Sequence, residues 1–449
     1  MLTDSIKKIV SVALVSVFLL MPLAGCSEET ENKIPANYGS YGADFARQLA
    51  TTYPYRKPFS SQETAAGEMI RLELSNLGYD VVTQPFSTDE GSSNNYIVTI
   101  EGKGFMGETE EGSGEYTDVR RSVVIGAHYD SAYGSDDIPE DYTYDGISDN
   151  ASGVGCLMTI AKRISEYENI GFDVTIVFFG AGNADHAGAR AYYASLTQEE
   201  KESMEVMYCV ESIYGGDKVY ASAGFNSLEL SQKYAMRRKL YQAYDVAYDS
   251  ELASRNGFSL LYNECGIQTD LDEDGDKDVY REVSLHKSDY VVFDEANIPI
   301  VYFDSCDYFF TSIDDMKETK NLHLQEFGGA IRNTFLDSTE VLDPILVTEE
   351  KDILEIRINN IAYVILESML KGSDFAMTHE EYEYMLANPT ESLEEEIDAT
   401  AATTTALAPV VNTEETELDE DTGDEGEGED GGGDEEDDED SEDSEESEE

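Results

Sequence analysis

A histidine and two aspartates in the first third of the chain have the residue types and the spacing of a metal site. His128 ends an apolar run, Asp130 follows two residues later, and Asp149 stands at the start of the next helical pattern. In zinc sites an imidazole binds the metal through one ring nitrogen while a carboxylate holds the other nitrogen. The spacing therefore suits a zinc site in which His128 and Asp149 are ligands and Asp130 orients the histidine. On spacing alone, however, a histidine at a strand end is more often structural.

Short apolar runs alternate with helical patterns along most of the chain. The runs with the length and composition of buried strands lie at residues 96–100, 123–126, 174–179, 207–210 and 298–303. Helical spacing follows a capping box at residues 60–63 and recurs at 154–164 and 354–369. This alternation predicts an α/β fold with a mixed, mostly parallel central sheet and helices on both faces. The active site of such a sheet lies beyond the carboxyl ends of its strands, which is where His128 stands.

The charge of the 449-residue chain is strongly and unevenly negative. It has 96 acidic and 29 basic residues, a net charge of −67, and residues 391–449 hold 29 of the acidic residues and no Lys or Arg. Such a field repels polyphosphates, so we expect no nucleic-acid binding and no docking by charge on an anionic membrane. The end of the chain has little to bury and repels itself, which predicts an acidic disordered tail over residues 386–449.

The N-terminus has the pattern of an export signal. Lys7 and Lys8 precede an apolar run at residues 9–20 that is too short for an ordinary membrane-spanning helix. Residues 23–26, Leu-Ala-Gly-Cys, resemble the lipobox of bacterial lipoproteins, which implies that Cys26 becomes the lipidated first residue. An ordinary cleaved signal with an incidental cysteine is the alternative. We expect a signal peptide at 1–25 and a polar tether at 26–39, anchored to the membrane at the bacterial cell surface.

Four further cysteines follow Cys26. Cys156 and Cys209 fall in apolar helix and strand patterns, which favours buried free thiols. Cys265 and Cys306 fall in loop-like sequence and are the better candidates for a disulfide outside the cytoplasm, although sequence does not determine the pairing.

The two stretches around the candidate metal ligands, residues 124–131 and 146–154, resemble the paired motifs of metallopeptidase family 28, the zinc aminopeptidases. Further stretches resemble this family in the same order along the chain: residues 95–102, 178–181, 188–192, 210–218, 288–290 and 298–303. The resemblance covers about residues 40–370 and implies a zinc-aminopeptidase-like domain at 40–385. Relatives in the family include glutaminyl cyclase and the catalytically silent transferrin receptor.

The resemblance also implies a ligand set. The family uses two zinc ions about 3–4 Å apart that share one aspartate, and a glutamate that acts as general base on the attacking water. Matched motif by motif, His128 binds one metal, Asp149 bridges, and Asp130 orients His128. The next ligand position falls on Glu211, where the family has an aspartate.

The other half of the family's site is substituted. Gly182 stands at the general-base position, Asn183 at a ligand position of the second metal, and Asn333 at the last histidine. Glycine cannot accept a proton, and asparagine is a poor zinc ligand. The first hypothesis is therefore a catalytically degenerate domain that holds one zinc ion and serves binding or assembly. The alternative is an active exopeptidase that removes N-terminal residues from peptides. A glutaminyl cyclase would need the same missing glutamate and histidine.

Nearby residues could substitute for the missing groups. Asp185 and His186 follow the substituted pair closely, although a polar first helical turn explains them better. The remaining histidines, His286, His323 and His379, lie off the motifs, and we expect them at the surface.

An aspartate-rich stretch has the alternating carboxylates and central glycine of a calcium loop. The candidate ligands are Asp270, Asp272, Asp274, Asp276 and Asp278. The twelfth position is Arg281 instead of a glutamate, so a solvated acidic loop is the alternative. A third hypothesis makes this loop and the acidic tail a calcium-controlled surface for association. The partners expected overall are a peptide substrate or a protein ligand, and the membrane through Cys26.

Overall fold

The computed structural model describes residues 34–387, apart from 110–112, 114, 225–232, 263–267, 270–277, 280–281, 283, 285, 309–316 and 374–375. The described residues belong to the first of two units of the chain, Met1–Glu396; the second unit is Ile397–Glu449. The predicted signal peptide, Cys26 and the acidic tail from residue 388 onward lie outside the described residues. No helix in the described ranges is long and apolar enough to cross a membrane.

Helices and strands alternate along the domain. The strands are β1 (Val82–Ser87), β2 (Ser92–Ile100), β3 (Phe105–Glu108), β4 (Tyr116–Val119), β5 (Ser122–His128), β6 (Asp173–Phe179), β7 (Met204–Val210), β8 (Lys218–Ser222), β9 (Leu260–Leu261), β10 (Gln268–Thr269), β11 (Asp278–Val279) and β12 (Ile300–Cys306). The α-helices are α1 (Tyr41–Thr52), α2 (Ser61–Asn76), α3 (Ser152–Arg163), α4 (Ala187–Ser195), α5 (Gln198–Glu202), α6 (Lys233–Asp249), α7 (Leu252–Arg255), α8 (Val291–Glu295), α9 (Thr339–Leu346), α10 (Ile353–Leu370) and α11 (His379–Ala387).

The central sheet has eight strands in the order β1-β2-β6-β5-β7-β12-β8-β9. Its middle, β6-β5-β7-β12, is parallel, and β8 pairs with β9 in parallel. The other pairs of this sheet, β1–β2, β2–β6 and β12–β8, are antiparallel. The prediction of a mixed, mostly parallel sheet is confirmed.

Both faces of the sheet are covered, so its central strands are apolar on both sides. In β5, Val123 and Ile125 join the larger core cluster, to which α1, α2, α3, α6 and α10 contribute. Val124, between them, joins a smaller cluster on the other face with Tyr192 of α4 and Phe293 of α8. This alternation explains why the strands read as continuous apolar runs, and it confirms helices on both faces.

The predicted capping box starts α2, but its glutamate is used differently. The Ser60 side chain accepts a hydrogen bond from the Glu63 backbone N–H at 3.1 Å. The Glu63 carboxylate accepts from the backbone N–H groups of Phe59 and Ala181 and from the Ser93 hydroxyl, at 2.5, 2.8 and 2.7 Å. This buried carboxylate therefore joins the start of α2 to the loop that follows β6.

The described cysteines are buried free thiols. Cys156 and Cys209 are buried and unpaired, as predicted. Cys306 is also a free thiol, and its Sγ donates to the Lys317 carbonyl at 3.0 Å. That bond does not support the expected pairing with Cys265, a residue outside the described ranges.

Candidate metal centre

Three side chains from separate parts of the sequence meet at the carboxyl edge of the sheet. His128 is the last residue of β5, Glu211 directly follows β7, and Asp149 lies in the turn Ile147–Ala151 that opens α3. One potential ligand atom from each of them lies within 4.8 Å of the others, and all three residues are buried. The structure thus brings together the three ligands of the predicted single-metal site.

The spacing of these atoms fits a zinc ion. His128 Nε2 lies 3.2 Å from Asp149 Oδ1, a separation that two zinc–ligand bonds of about 2.0–2.2 Å can span. Asp149 Oδ1 is buried and has no hydrogen-bond partner among the described residues. Buried carboxylate oxygens are normally satisfied, so this one is available to a cation. One nitrogen and two carboxylate oxygens are a suitable donor set for zinc.

The charges of the centre are coupled. Burial opposes protonation of His128, but the charge of Asp130 and the proximity of Asp149 outweigh it, so the pKa of His128 lies well above its usual value. Burial and the charge of Asp149 raise the pKa of Glu211 to about 8. A metal ligand must be deprotonated, so binding of a divalent ion here would release protons near neutral pH.

Asp130 lies beside His128 as expected, with Oδ1 at 3.3 Å from His128 Nδ1. Its hydrogen bonds, however, go to the loop after β6. Oδ1 accepts from the Gly182 N–H at 2.6 Å, and Oδ2 accepts from the Asn183 N–H and side-chain amide at 2.9 and 3.0 Å. Asp130 therefore joins the histidine strand to the segment that carries the two substituted positions.

Gly182 is packed directly against the histidine. A Cβ atom at position 182 would lie 2.5 Å from both Cβ and Cγ of His128, well inside van der Waals contact. The Asn183 amide is engaged by Asp130. Neither position therefore supplies a carboxylate to the three clustered side chains.

A buried aspartate near the C-terminal end of the fold holds the Asp149 turn in place. Asp337 is fully buried, and its carboxylate accepts from the backbone N–H groups of Ser148 and Asp149 at 2.7 and 3.0 Å. Asp337 lies four residues after Asn333, the position of the family's last histidine. Its place beside Asp149 depends on a contact across almost 190 residues.

A buried guanidinium joins the loops that follow β5 and precede α3. Arg56 is fully buried and donates to the backbone carbonyls of Tyr129, Asp145 and Gly146 at 2.9, 2.5 and 3.1 Å. It therefore fixes the spacing between the His128 and Asp149 segments. Sequence reasoning missed this residue, because an isolated arginine before a capping box resembles a surface residue.

The last motif presents an arginine to the centre instead of a histidine. Asn333 is exposed and has a left-handed backbone conformation, with φ of +58°. The neighbouring Arg332 side chain is only 9% exposed and lies 3.5 Å from Glu211, 3.6 Å from Asp304 and 2.8 Å from Glu318. This role of Arg332 was not predicted from the sequence. Asp304 could have been suspected, because it directly follows the apolar run at 298–303.

Of the two possible substitutes, only His186 turns inward. Asp185 and His186 both have left-handed backbones, and the Asp185 side chain is 85% exposed. His186 Nδ1 lies 3.7 Å from Asp289 Oδ1. Asp289 is fully buried, and neither of its carboxylate oxygens has a hydrogen-bond partner in the described structure. The structure thus reveals a histidine–aspartate pair whose Asp289 half was noticed only as part of a family motif.

The remaining predicted residues fall into two groups. His323 and His379 are exposed, as predicted, whereas His286 is only 23% exposed and its Nδ1 lies 3.0 Å from the Tyr308 hydroxyl and 3.3 Å from Asp304. The surface prediction for His286 is therefore wrong, because the loop before α8 folds back onto β12. The calcium-loop residues Asp270, Asp272, Asp274 and Asp276 lie outside the described residues, and only the backbone of Asp278 is described, in β11.

Comparison with known proteins agrees with the geometry. The sequence model of peptidase family M28 matches residues 108–335, which is half of the chain. The alkaline phosphatase isozyme conversion protein of Escherichia coli (strain K12) is 23% identical over 213 residues, which are 45% of this chain. The match spans 59% of that protein's length.

Solved structures share the fold. A glutaminyl cyclase from an Acidobacteriales bacterium superposes with a TM-score of 0.51 at 14% identity, over 76% of this chain and 97% of that one. A Zn-dependent exopeptidase from Parabacteroides distasonis superposes with a TM-score of 0.47 at 17% identity, over 75% of this chain and 99% of that one. At this identity the likeness to the cyclase concerns the fold alone.

Proposed function

This chain belongs to peptidase family M28, and we propose that it is a catalytically degenerate member whose domain holds one zinc ion and binds a peptide or protein ligand. The observation that carries the proposal is the contact between Gly182 and His128. The position where the family resemblance places the general base has no side chain, and there is no room for one while His128 keeps its place. The absence of a general base at position 182 is therefore matched by the close packing of His128 against the glycine.

His128, Asp149 and Glu211 would hold the ion. A zinc ion held by these residues would supply a Lewis acid, which can polarise a carbonyl oxygen. Asp130 and Asp337 hold the ligand-bearing segments, and the buried position of all three ligands limits access of water. Gly182 cannot accept a proton, so the described centre supports ligand binding better than the family's hydrolysis.

Metal content and turnover test this proposal together. We expect one zinc per chain in the purified full-length protein by mass spectrometry of the metal, and less than one tenth of that in His128→Ala. His323→Ala, which changes an exposed histidine, is the matched control and should keep the zinc. Rapid hydrolysis of a panel of aminoacyl substrates with added zinc, abolished in His128→Ala, would contradict catalytic degeneracy.

A second candidate function is an active exopeptidase, and the His186–Asp289 pair favours it. A histidine beside a buried carboxylate can act as a general base; His186 Nδ1 lies 3.7 Å from Asp289 Oδ1, and the charges of Glu211 and His128 both act on His186. If this candidate holds, His186→Ala should lower kcat by about 100-fold or more without removing zinc. Equal turnover in His186→Ala and in the wild type would eliminate it.

The proposed cellular place is the outer side of a bacterial membrane, with Cys26 as the lipidated residue. The supporting observation is the signal pattern at residues 1–26. Cys26→Ser should move the protein from the membrane fraction to the soluble fraction after cell lysis. Retention of the variant in the membrane at the wild-type level would contradict lipid anchoring.

Calcium binding by the loop at residues 270–278 remains a separate proposal, supported by its alternating aspartates and Gly275. Isothermal titration of the full-length protein with calcium at millimolar concentration tests it. We expect one binding event that Asp272→Asn weakens, and heats equal to those of buffer dilution would contradict it.

A further inference from the structure

Arg332 is a buried cation placed among carboxylates of the candidate metal centre. Its side chain is 9% exposed, and Nη1 lies 3.5 Å from Glu211 Oε1, one of the three clustered ligands. Nη2 lies 3.6 Å from Asp304 Oδ2 and is buried without a hydrogen-bond partner in the described part of the chain. The guanidinium is therefore close to the centre, but the centre does not satisfy all of its hydrogen-bond donors.

The guanidinium is held in this position from behind. Glu318 Oε1 accepts from Arg332 Nε at 2.8 Å, and Glu318 Oε2 accepts from the backbone N–H groups of Ile331 and Arg332 at 2.5 and 2.7 Å. A carboxylate that binds both the backbone and the side chain of one arginine fixes its direction. Because of these bonds to Glu318, the Arg332 side chain is directed towards Glu211 and Asp304.

The surroundings of Arg332 hold more negative than positive charge. Glu211, Asp304 and Glu318 are 8%, 1% and 7% exposed at their side chains, and the charge of Arg332 also acts on Asp149. His286 and the Tyr308 hydroxyl face Asp304 from the other side. Without Arg332, buried carboxylates on Glu211, Asp304 and Glu318 would face each other and would need protons or a metal ion.

We propose that Arg332 is a resident cation that supplies the positive charge of a second metal ion and limits this centre to one divalent ion. This inference rests on the proposed function only in its count of one bound ion. Arg332 immediately precedes Asn333, the position of the missing histidine ligand, so one chain segment has lost a metal ligand and directs a fixed positive charge inward. The guanidinium of arginine does not lose its proton at any pH at which the protein is studied, so this positive charge is permanent.

The test is the number of divalent ions bound by the full-length protein when the charge is removed. Arg332→Gln should raise the stoichiometry from one to two ions per chain in titrations with zinc or with manganese, which favours carboxylate ligands. Arg332→Lys keeps the charge and should bind one ion. Arg47→Gln is the matched control, because Arg47 also bridges two carboxylates, Asp343 and Asp352, away from the centre, and should leave the count unchanged.

The outcomes separate the two proposals. One ion in both wild type and Arg332→Gln overturns the resident-cation inference, while the zinc site stands if His128→Ala still removes that ion. Zinc retained in His128→Ala contradicts the zinc site itself. If Arg332→Gln is poorly folded, its melting temperature is compared with and without 1 mM manganese. Recovery by at least half of the lost stability supports the inference, and no recovery overturns it.

Discussion

Gly182 has only a hydrogen atom where other residues have a side chain, and this face of the glycine packs against His128. A methyl group there would lie 2.5 Å from both Cβ and Cγ of His128. The pair sits in a buried region, so the contact cannot be relieved by turning a side chain into solvent. A side chain that carries a carboxylate cannot stand at position 182 while His128 keeps its present place. Restoring the family's glutamate therefore requires the loop after β6 or His128 to shift.

Gly182→Ala tests this packing. We expect the free energy of unfolding to fall by about 1–3 kcal/mol from overpacking and zinc affinity to fall about 10–100-fold as His128 is displaced. Chemical denaturation and zinc titration measure the two effects. Gly134→Ala is the control, because its Cβ would meet only side-chain atoms of Lys57 and Asp137, at 3.3 Å or more. Wild-type zinc affinity in Gly182→Ala would contradict the packing argument.

Glu63 predicts a pH dependence of stability. Burial and the charge of Asp130 raise its pKa to about 7 from an ordinary value of 4.5. The folded protein therefore binds a proton more tightly than the unfolded chain, and this stabilisation is full below pH 4.5 and lost as pH rises through 7. The free energy of unfolding of wild type relative to Glu63→Gln should fall by up to about 3 kcal/mol between pH 4.5 and 7.

Urea denaturation at several pH values from 4.5 to 8 measures this difference. Glu68→Gln on the same helix is the control, because Arg71 lowers the pKa of Glu68 and its carboxylate stays ionised above pH 5. A wild-type advantage over Glu63→Gln that is constant or grows with pH would show that Glu63 titrates normally.

The element that decides the position of Asp149 is the turn Ile147–Ala151 at the start of α3. Two devices hold it: the Asp337 carboxylate binds its backbone N–H groups, and Arg56 binds the carbonyls just before it. Gly146, with φ of +58°, permits the close approach, since a Cβ there would lie 2.8 Å from the Asp149 carbonyl. A metal ligand on a turn depends on such supports more than one on a strand does.

Asp337→Asn should displace this turn, because an amide can accept one of the two N–H groups but presents a donor to the other. We expect zinc affinity to fall about 10-fold or more and stability to fall by about 1–3 kcal/mol. Asp352→Asn provides a matched control at the start of α10, where Asp352 also accepts from two backbone N–H groups. It should lower stability and leave zinc affinity unchanged; a comparable loss of zinc affinity in both variants would contradict a specific role for Asp337.

At the scale of the whole molecule, the central sheet brings the residues of the candidate metal centre together. The negative charge of the chain is divided between its acidic tail and the rest of the sequence. The carboxyl ends of β5, β6, β7 and β12 bring His128, the Gly182 loop, Glu211 and Asp304 to one edge. The tail holds 29 acidic residues and the remainder of the chain holds a net charge of −38, obtained as −67 + 29.

Removal of residues 391–449 should leave the fold intact, because the described elements end at Ala387 and a segment with nothing to bury adds little stability. The melting temperature should change by less than about 2 °C, and zinc content should stay at the wild-type value. Calorimetry and metal analysis of the truncated protein measure both. A large drop in melting temperature would show that the tail packs against the domain.

The sequence by itself determined the fold class and the places of five strands, β2, β5, β6, β7 and β12, because hydrophobic periodicity is a local property. Its motifs, matched to those of the family, gave the three candidate ligands. It also located the substitutions at Gly182, Asn183 and Asn333. The tertiary structure decided which replacements matter. Arg332 and His186 turn inward while Asn333 and Asp185 turn outward, and these directions depend on left-handed backbone positions within loops.

The supports of the centre could not be predicted for a related reason. Arg56, Asp337 and Asp304 each reach the site through contacts between segments far apart in the chain. A buried guanidinium or carboxylate has the same sequence signature as a surface one, and only the packing of the sheet edge shows which is buried. Local patterns therefore determined where the candidate ligands stand, and long-range packing decided what charge and what space surround them.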